Sequence, residues 1–162
     1  MSFDSGINSD IPVSFVATNN RIAGAQAADA LASQVNNKGK VGIIAHVAGT
    51  SSAIERSEGF MERMKEKYPD IKVLPVQYSD GDPQKAMDKT IDMIQANPDL
   101  AGIYGTNEGS TLGVANAIDS QNLKGKVKVI GFDSTEAIIN FLKNGVIQGF
   151  VVQDAYQIGY QG

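Results

Sequence analysis

Short apolar runs rich in Val and Ile alternate along the chain with longer segments whose apolar residues recur at helical spacing. The short runs predict strands at residues 13–17, 40–46, 72–77, 102–104, 127–132 and 147–152. The longer segments predict helices at residues 22–35, 53–68, 84–96, 110–121 and 135–144. This alternation is typical of repeated βα units that feed a parallel sheet buried on both faces.

The predicted fold is therefore α/β, with a doubly wound, mostly parallel sheet of about six strands, helices on both faces and right-handed crossovers, as in flavodoxin-like or Rossmann-like domains. The residues at the ends of the predicted helices agree with this fold. Asp82 precedes Pro83, which places a capping side chain before a proline at the first helical position. Glycines at the ends of residues 123–125 and 143–145 predict helix C-caps. Two dipeptides predict helix exits: Tyr68-Pro69 and Asn97-Pro98.

Composition and net charge limit the kinds of partner that the chain can bind. The 162 residues, 42% of them hydrophobic, suffice for one domain with one core. A net charge of -4 gives no attractive field for nucleic acid. No apolar run approaches the roughly 20 residues that span a bilayer, so we expect no membrane insertion, and residues 1–10 do not resemble a secretory signal. The chain has no cysteine, which excludes disulfides and thiolate chemistry.

Hydrogen-bonding side chains follow every predicted strand. They lie in residues 18–20, 49–52 leading to Arg56, 80–82, 107–108, 133–134 and 153–154. The opposite ends of the strands carry ordinary solvated turns, at residues 37–39, 69–70 and 124–126. Because ligands of open parallel sheets bind outside the carboxyl ends of the strands, this asymmetry predicts one functional rim.

Four of these side chains suit a sugar or polyol. Arg56 offers a rigid fork of donors, Asp133 accepts from neighbouring hydroxyls, and Asn107 and Gln153 both donate and accept. The alternative is that Asp133 and Asn107 only cap the helices that follow them. The combination with Arg56 and Gln153 favours a ligand rim over capping alone.

The motifs Arg56-Ser57-Glu58-Gly59-Phe60, Thr106-Asn107-Glu108, Gly131-Phe132-Asp133 and Val152-Gln153 with Gly159-Tyr160 occur in that order. Together they resemble the C-terminal lobe of type I periplasmic sugar-binding proteins, with the ribose-binding proteins the nearest relatives. The resemblance covers nearly the whole chain from Val13 onward. It implies a clamshell of two similar lobes that close on a ligand about a hinge, of which this chain is one lobe.

The resemblance also implies roles for individual residues. The ligand-binding arginine, asparagine, aspartate and hinge-proximal glutamine of the family match Arg56, Asn107, Asp133 and Gln153, and Asp4 matches a ligand aspartate of the N-terminal lobe. It implies three segments: residues 1–13 as a remnant of the N-terminal lobe and hinge strand, 14–153 as the C-terminal lobe, and 154–162 as the start of a return helix or hinge segment that we expect to continue in a longer parent.

One segment departs from the family. Many relatives place an aromatic residue against the sugar where this chain has Gly81, so stacking from this lobe is in doubt. Tyr78 lies three residues earlier and substitutes for that residue only if the loop turns it inward. Tyr78, Asp80 and Asp82 are therefore predicted as ligand-proximal residues, and the ring form of the sugar stays open.

The function implied by the resemblance is that of the solute-binding component of an ABC-type sugar uptake system. Its partners would be a small sugar or polyol, the missing N-terminal lobe and an ABC permease, in an extracytoplasmic parent protein. A further alternative is a stand-alone lobe that forms a homodimer through the face that its partner lobe normally covers. The alternative is the effector-binding lobe of a LacI-type regulator, although nothing here resembles a helix-turn-helix.

Enzymatic alternatives find little support. Residues 105–111 look like a phosphate loop but lack its lysine and its glycine spacing. His46, the only histidine, lies in an apolar run at a strand end, where a structural hydrogen bond is more common than catalysis. The carboxylates Asp80, Asp82, Glu108 and Asp133 lack a calcium-loop spacing. We predict no catalytic residue, metal site or cofactor, and keep a flavodoxin-like enzyme as the weakest alternative.

Overall fold

The computed structural model describes residues 2–3 and 15–161. The strands are β1 (Ser2–Phe3), β2 (Phe15–Val16), β3 (Gly39–Ala45), β4 (Ile71–Val73), β5 (Gln77–Tyr78), β6 (Leu100–Gly105), β7 (Lys128–Phe132) and β8 (Gly149–Val151). The helices are α1 (Asn20–Gln34), α2 (Ser51–Lys67), α3 (Pro83–Ala96), α4 (Glu108–Ser120), α5 (Glu136–Lys143) and α6 (Ala155–Gln161). In this described part of the chain, no helix is both long enough and apolar enough to cross a bilayer.

Strands β3 to β8 form one parallel sheet in the order β4-β3-β6-β7-β8, and β5 pairs with β3 on the same edge as β4. From β3 the chain moves outward to β4 and β5, then returns to the other side of β3 and adds β6, β7 and β8. The order therefore reverses between β3 and β6, which opens a crevice at the carboxyl ends of these strands. The predicted doubly wound α/β fold is confirmed.

Both faces of the sheet are covered, which explains why its strands are apolar runs. On one face, α1 and α2 bury a core that includes Leu31, Phe60 and Tyr104. On the other face, α3, α4 and α5 bury a second core that includes Ile103 and Ile138. The two helical layers hold the ends of β3 and β6 in place from opposite sides.

Two predicted strands differ from the observed ones. The predicted strand 72–77 is two strands, β4 and β5, because Pro75 has no N–H to donate and the chain leaves the ladder between them. The predicted strand 13–17 is the short β2, which pairs in parallel with β1 outside the main sheet. The main sheet still has six strands, because the division of one predicted strand offsets the loss of the other.

Helix ends follow the predicted caps with one exception. Asp82 Oδ1 accepts from Lys85 N at 2.8 Å, and Gly145 adopts the left-handed conformation (φ 70°) after α5. The glycine at position 125 does not end α4 as predicted. That helix ends at Ser120, and Asn122 (φ 55°) makes the left-handed turn, which asparagine tolerates better than most residues.

Candidate ligand-binding site

Polar groups from four loops and one helix meet beside the crevice between β3 and β6. The loops follow β2, β6, β7 and β8 and contribute the side chains of Thr18, Asp133 and Gln153 and the carbonyl of Thr106, and the helix, α2, contributes Arg56. The longest sequence separation within this cluster is 135 residues, between Thr18 and Gln153. We call this set, with Asn107, the rim cluster. The predicted convergence of Arg56, Asp133 and Gln153 is what the structure shows.

Arg56 is the buried anchor of the rim cluster, with only 4% of its surface exposed. Its Nε donates to Asn20 Oδ1 at 2.8 Å, Nη1 donates to the Thr106 carbonyl at 2.8 Å, and Nη2 donates to Gln153 Oε1 at 3.2 Å. The guanidinium carbon also lies 3.7 Å from the centre of the Phe132 ring, a cation–π contact. These contacts hold the plane of the guanidinium in one orientation.

Gln153 connects the arginine to the aspartate. Its Oε1 accepts from Arg56 and also from Thr18 Oγ1 at 3.0 Å, while its Nε2 donates to Asp133 Oδ1 at 2.9 Å. One amide thus satisfies a donor group on one side and an acceptor group on the other. The result is a continuous hydrogen-bonded chain from a cation to an anion.

Asp133 follows β7 in a conformation that is uncommon for residues other than glycine, with φ 70°. Its backbone N–H donates to the Val151 carbonyl at 2.8 Å, and its Oδ2 accepts from Glu108 N at 3.2 Å. The carboxylate therefore lies at the N-terminus of α4. A strained residue that carries a carboxylate at a strand end is typical of a functional position.

Asn107 has the capping role that the sequence left open for it. Its Oδ1 accepts from Ser110 N at 2.9 Å and so caps α4. Its amide nitrogen faces the turn at Gly81, where an added Cβ would come within 4.0 Å of Nδ2. Asn107 is thus adjacent to Asp133 across the Glu108 amide, but its oxygen serves the helix.

The acidic residues predicted as ligand-proximal have local roles. Asp82 caps α3, and Asp80 Oδ2 accepts from Lys85 Nζ at 2.9 Å. This pairing raises the pKa of the lysine. Tyr78, at the end of β5, has 39% of its surface exposed, so its ring remains accessible from the rim. Asp4 lies outside the described residues.

Three residues near the predicted site residues support them through contacts that the sequence does not predict. Asn20 and Thr106 are buried and contact Arg56, and Thr18 holds Gln153. Each follows a strand candidate, and Thr106 also begins the motif Thr106-Asn107-Glu108. A polar residue that supports another cannot be distinguished there from an ordinary loop residue, because the partner is distant in sequence.

His46 has the structural hydrogen bonds expected of it. Its Nδ1 lies 2.9 Å from Thr106 Oγ1 and its Nε2 lies 3.0 Å from Ser52 Oγ. The ring thereby connects the end of β3 to the loop after β6 and to the first turn of α2. The described residues include no group of three or more His, Cys, Asp or Glu side chains placed to hold a metal ion.

The layer beneath the cluster is aromatic. Tyr104 is fully buried and stacks on Phe60, with 4.9 Å between ring centres. Burial raises the pKa of the Tyr104 phenol, with a smaller opposing effect from Arg56, so the ring stays neutral beneath the site. Its hydroxyl has no hydrogen-bond partner among the described residues.

A separate hollow lies away from the rim cluster. A groove of about 250 Å³ lies between the interrupted edge strand and α3, at Leu74, Pro75 and Met93. It arises where Pro75 separates β4 from β5. We take the rim cluster as the candidate site, because convergent and oriented hydrogen-bonding groups indicate specific recognition better than concavity does.

Comparison with known proteins identifies the kind of domain. A family model described as "Periplasmic binding protein domain" matches residues 1–162. Ribose import binding protein RbsB of Haemophilus influenzae is 30% identical over 162 residues, which are 100% of this chain and 54% of that protein. The D-allose-binding periplasmic protein of Escherichia coli is 33% identical over 149 residues, which are 91% of this chain and 48% of that protein.

A solved structure agrees with these relatives. The carbohydrate transporter solute binding protein of Agrobacterium radiobacter, in complex with D-arabinose, is 40% identical with a TM-score of 0.94, covering 98% of this chain and 56% of that one. The chain thus spans about half the length of the relatives it matches. The three proteins are binding proteins rather than enzymes. With a family model matched from end to end, this chain belongs to the periplasmic binding protein family.

Proposed function

We propose that this chain is the C-terminal, ligand-binding lobe of a sugar solute-binding protein of an ABC-type uptake system. The observation that carries the proposal is the unbroken hydrogen-bonded chain from Arg56 through Gln153 to Asp133 on the rim. The names of the relatives, which concern ribose, D-allose and D-arabinose, support the same ligand class.

The chemistry of the rim cluster favours a neutral ligand with several hydroxyls. A hydroxyl both donates and accepts, and the cluster offers it a carboxylate at Asp133, a guanidinium at Arg56 and amides at Gln153 and Asn107. Arg56 and Asp133 carry opposite charges, so neither positive nor negative charge dominates the hydrogen-bonded network that they form with Gln153. A ligand without matching hydroxyls would leave these desolvated groups unpaired and would bind poorly.

The surroundings of the cluster favour a second lobe as the cover of the site. Five large apolar side chains that are exposed lie at the carboxyl-end rim: Ile22, Val47, Ile54, Tyr78 and Val152. Tyr156 and Tyr160 on α6 are each 76% exposed and stack on one another. An apolar border around a polar centre is typical of an interface.

The proposed organisation rests on the family resemblance, and this border is what it would require. Residues 14–153 would form the C-terminal lobe, 154–162 would lead into the other lobe, and 1–13 would belong to that lobe and the hinge. Asp4 stays a predicted ligand residue from the second lobe. In the whole protein we propose an ABC permease as partner and an extracytoplasmic location. The relatives' names support transport over the LacI-type alternative, because they describe import and periplasmic binding.

A sugar titration followed by NMR tests the proposal. The labelled chain would be titrated with D-arabinose, D-allose and D-ribose, and we expect saturable shifts of the backbone amides at Thr106, Asp133 and Gln153. Affinity for the single lobe should be weak, because a closed cleft buries most of a ligand and one lobe supplies only part of the contacts. The two-lobed protein should bind the same sugar more tightly.

A matched pair of variants makes the titration specific. Asp133→Asn removes a charge from the rim, and Asp99→Asn removes one from the opposite end of the sheet, where Asp99 pairs with Lys40. We expect only Asp133→Asn to abolish the shifts. Equal titrations in both variants, or no saturable shift with any of the sugars in the two-lobed protein, would refute the proposed function.

A further inference from the structure

The contact between Asn20 and Arg56 is buried on both sides. Asn20 is 3% exposed and Arg56 is 4% exposed, and the bond from Nε to Oδ1 is 2.8 Å long. Asn20 is the first residue of α1, while Arg56 lies in the second turn of α2. The side chain of Asn20, at the start of α1, therefore contacts the side chain of Arg56, on α2, at the edge of the site.

Capping does not account for Asn20. The side chain of the preceding residue, Asn19, already caps α1, because its Oδ1 accepts from Ile22 N at 3.1 Å. The Asn20 amide is thus not required by its own helix. Burying an amide is unfavourable unless it is hydrogen-bonded, and the bond that it makes is directed at the arginine.

The helix crossing sets the distance between these two residues. An added Cβ at Gly24 would lie 2.2 Å from the carbonyl oxygen of Arg56. An added Cβ at Gly59 would lie 2.1 Å from the carbonyl oxygen of Arg21. Both glycines therefore bring backbone against backbone next to the Asn20–Arg56 pair, at a separation that no larger residue allows without displacing a helix.

We propose that Asn20 is a positioning residue of the binding site, which fixes the plane of the Arg56 guanidinium before ligand arrives, and that the Gly24–Gly59 crossing sets its reach. Its consequence for affinity rests on the proposed sugar-binding function. A long arginine side chain that is already ordered loses less conformational freedom on binding than a mobile one does. The site is then preorganised from the helical layer as well as from the strand ends.

Arginine side-chain NMR on the ligand-free chain tests the positioning directly. The chain has three arginines, so the Nε–H spectrum contains three side-chain signals. In Asn20→Ala we expect the Arg56 Nε–H to exchange with solvent about tenfold faster, because it loses a buried partner. The signals of Arg21 and Arg63 should not change. Asn20→Asp keeps an oxygen at the same place and should keep the protection.

Controls separate positioning from general destabilisation. Asn116→Ala removes an exposed asparagine from α4 and should alter neither exchange nor affinity. Asn20→Ser, whose side chain is too short to reach Nε, serves as a second variant if Asn20→Ala does not fold. Unchanged Arg56 exchange in either folded variant would overturn the inference.

Sugar affinity supplies the second readout. In the two-lobed protein, Asn20→Ala should weaken D-arabinose, D-allose or D-ribose binding about tenfold, with partial rescue by Asn20→Asp. In an Arg56→Ala background the same change should have no further effect, since the residue that it positions is gone. If the sugars do not bind at all, the proposed function fails, whereas the exchange experiment still decides the role of Asn20.

Discussion

Two arginines on α2 connect that helix to α1 in different ways. Arg63 forms a two-pronged ion pair with Asp29, at 2.8 and 2.7 Å, on the partly exposed outer side of the helices. Arg56, two turns earlier, is buried at the rim and donates to the uncharged oxygens of Asn20, Thr106 and Gln153.

The difference separates a structural arginine from a recognition arginine. Arg63 contacts a carboxylate in its own helical layer, so its charge is balanced where it serves packing. Arg56 connects three chain segments, and through Gln153 it reaches the carboxylate of Asp133. Solvent exposure sets how strong the two sets of contacts are, since solvent screens the Arg63–Asp29 ion pair and not the buried network of Arg56.

The largest expected effect comes from truncating the inner arginine. Arg56→Ala should leave the lobe folded and reduce sugar affinity by about 100-fold or more, because it removes the donor fork and takes from the Asn20 oxygen its bond to Nε. Titration calorimetry of the two-lobed protein would measure this, with circular dichroism to check folding. Arg63→Ala is the matched control and should bind normally. An unfolded Arg56→Ala lobe with normal affinity per folded molecule would contradict the assignment.

Two variants at Asp133 distinguish the role of its carboxylate in binding from the strain in its backbone. Asp133→Ala and Asp133→Gly should both abolish binding with the fold intact, because both remove the carboxylate. Asp133→Gly should be more stable than Asp133→Ala by about 1 kcal/mol, since glycine adopts φ near 70° without strain. Urea unfolding would measure the difference. Equal stability of the two variants would show that the backbone relaxes at this position.

The outer pair should respond to pH rather than to sugar. The hydrogen bond from Arg63, with a further one from Tyr68, lowers the pKa of Asp29. Its stabilisation is therefore present above the ordinary carboxyl pKa and is lost as the pH falls through the lowered value. Thermal melts of wild type and Arg63→Ala should differ by no more than about 3 °C at neutral pH. The gap should close in acid and in high salt; a gap that widens in acid would contradict this.

The smallest effect is expected beneath the site. Tyr104→Phe removes a buried hydroxyl that has no partner among the described residues, so the free energy of unfolding should change by less than about 1 kcal/mol near neutral pH. Because burial raises the pKa of this phenol, wild type should lose stability relative to the variant above about pH 10. Denaturant melts at pH 7 and pH 10.5 would measure both; a large loss at pH 7 would indicate a hydrogen bond to the phenol.

Much of the fold could be predicted because its signals are local. Apolar periodicity indicated the helices, and Asp82 before Pro83 indicated where α3 begins. The break at Pro75 is not predicted, although proline is a local signal, because the apolar run around it has the length of one strand. The end of α4 at Ser120 is not predicted, because asparagine and glycine both adopt left-handed turns and the sequence does not show that Asn122, and not Gly125, makes the turn after the helix.

The sequence predicts where the site lies but not most of the contacts within it. The carboxyl ends of the strands in a parallel sheet lie on one rim, which predicts that Arg56, Asp133 and Gln153 lie close together. Nothing in the sequence distinguished the Asn107 oxygen that caps α4 from one that faces a ligand. The supporting contact of Asn20 was invisible, because it depends on how closely α1 approaches α2.

The sequence by itself determined the order of strands and helices and the end of the sheet that carries the polar side chains, because both follow from hydrophobic period and from strand polarity. Only the tertiary structure decided which polar atoms meet. Thr18 contacts Gln153 across 135 residues, and the Gly24–Gly59 crossing places Asn20 against Arg56. Such contacts depend on distances between packed elements, which no local pattern encodes.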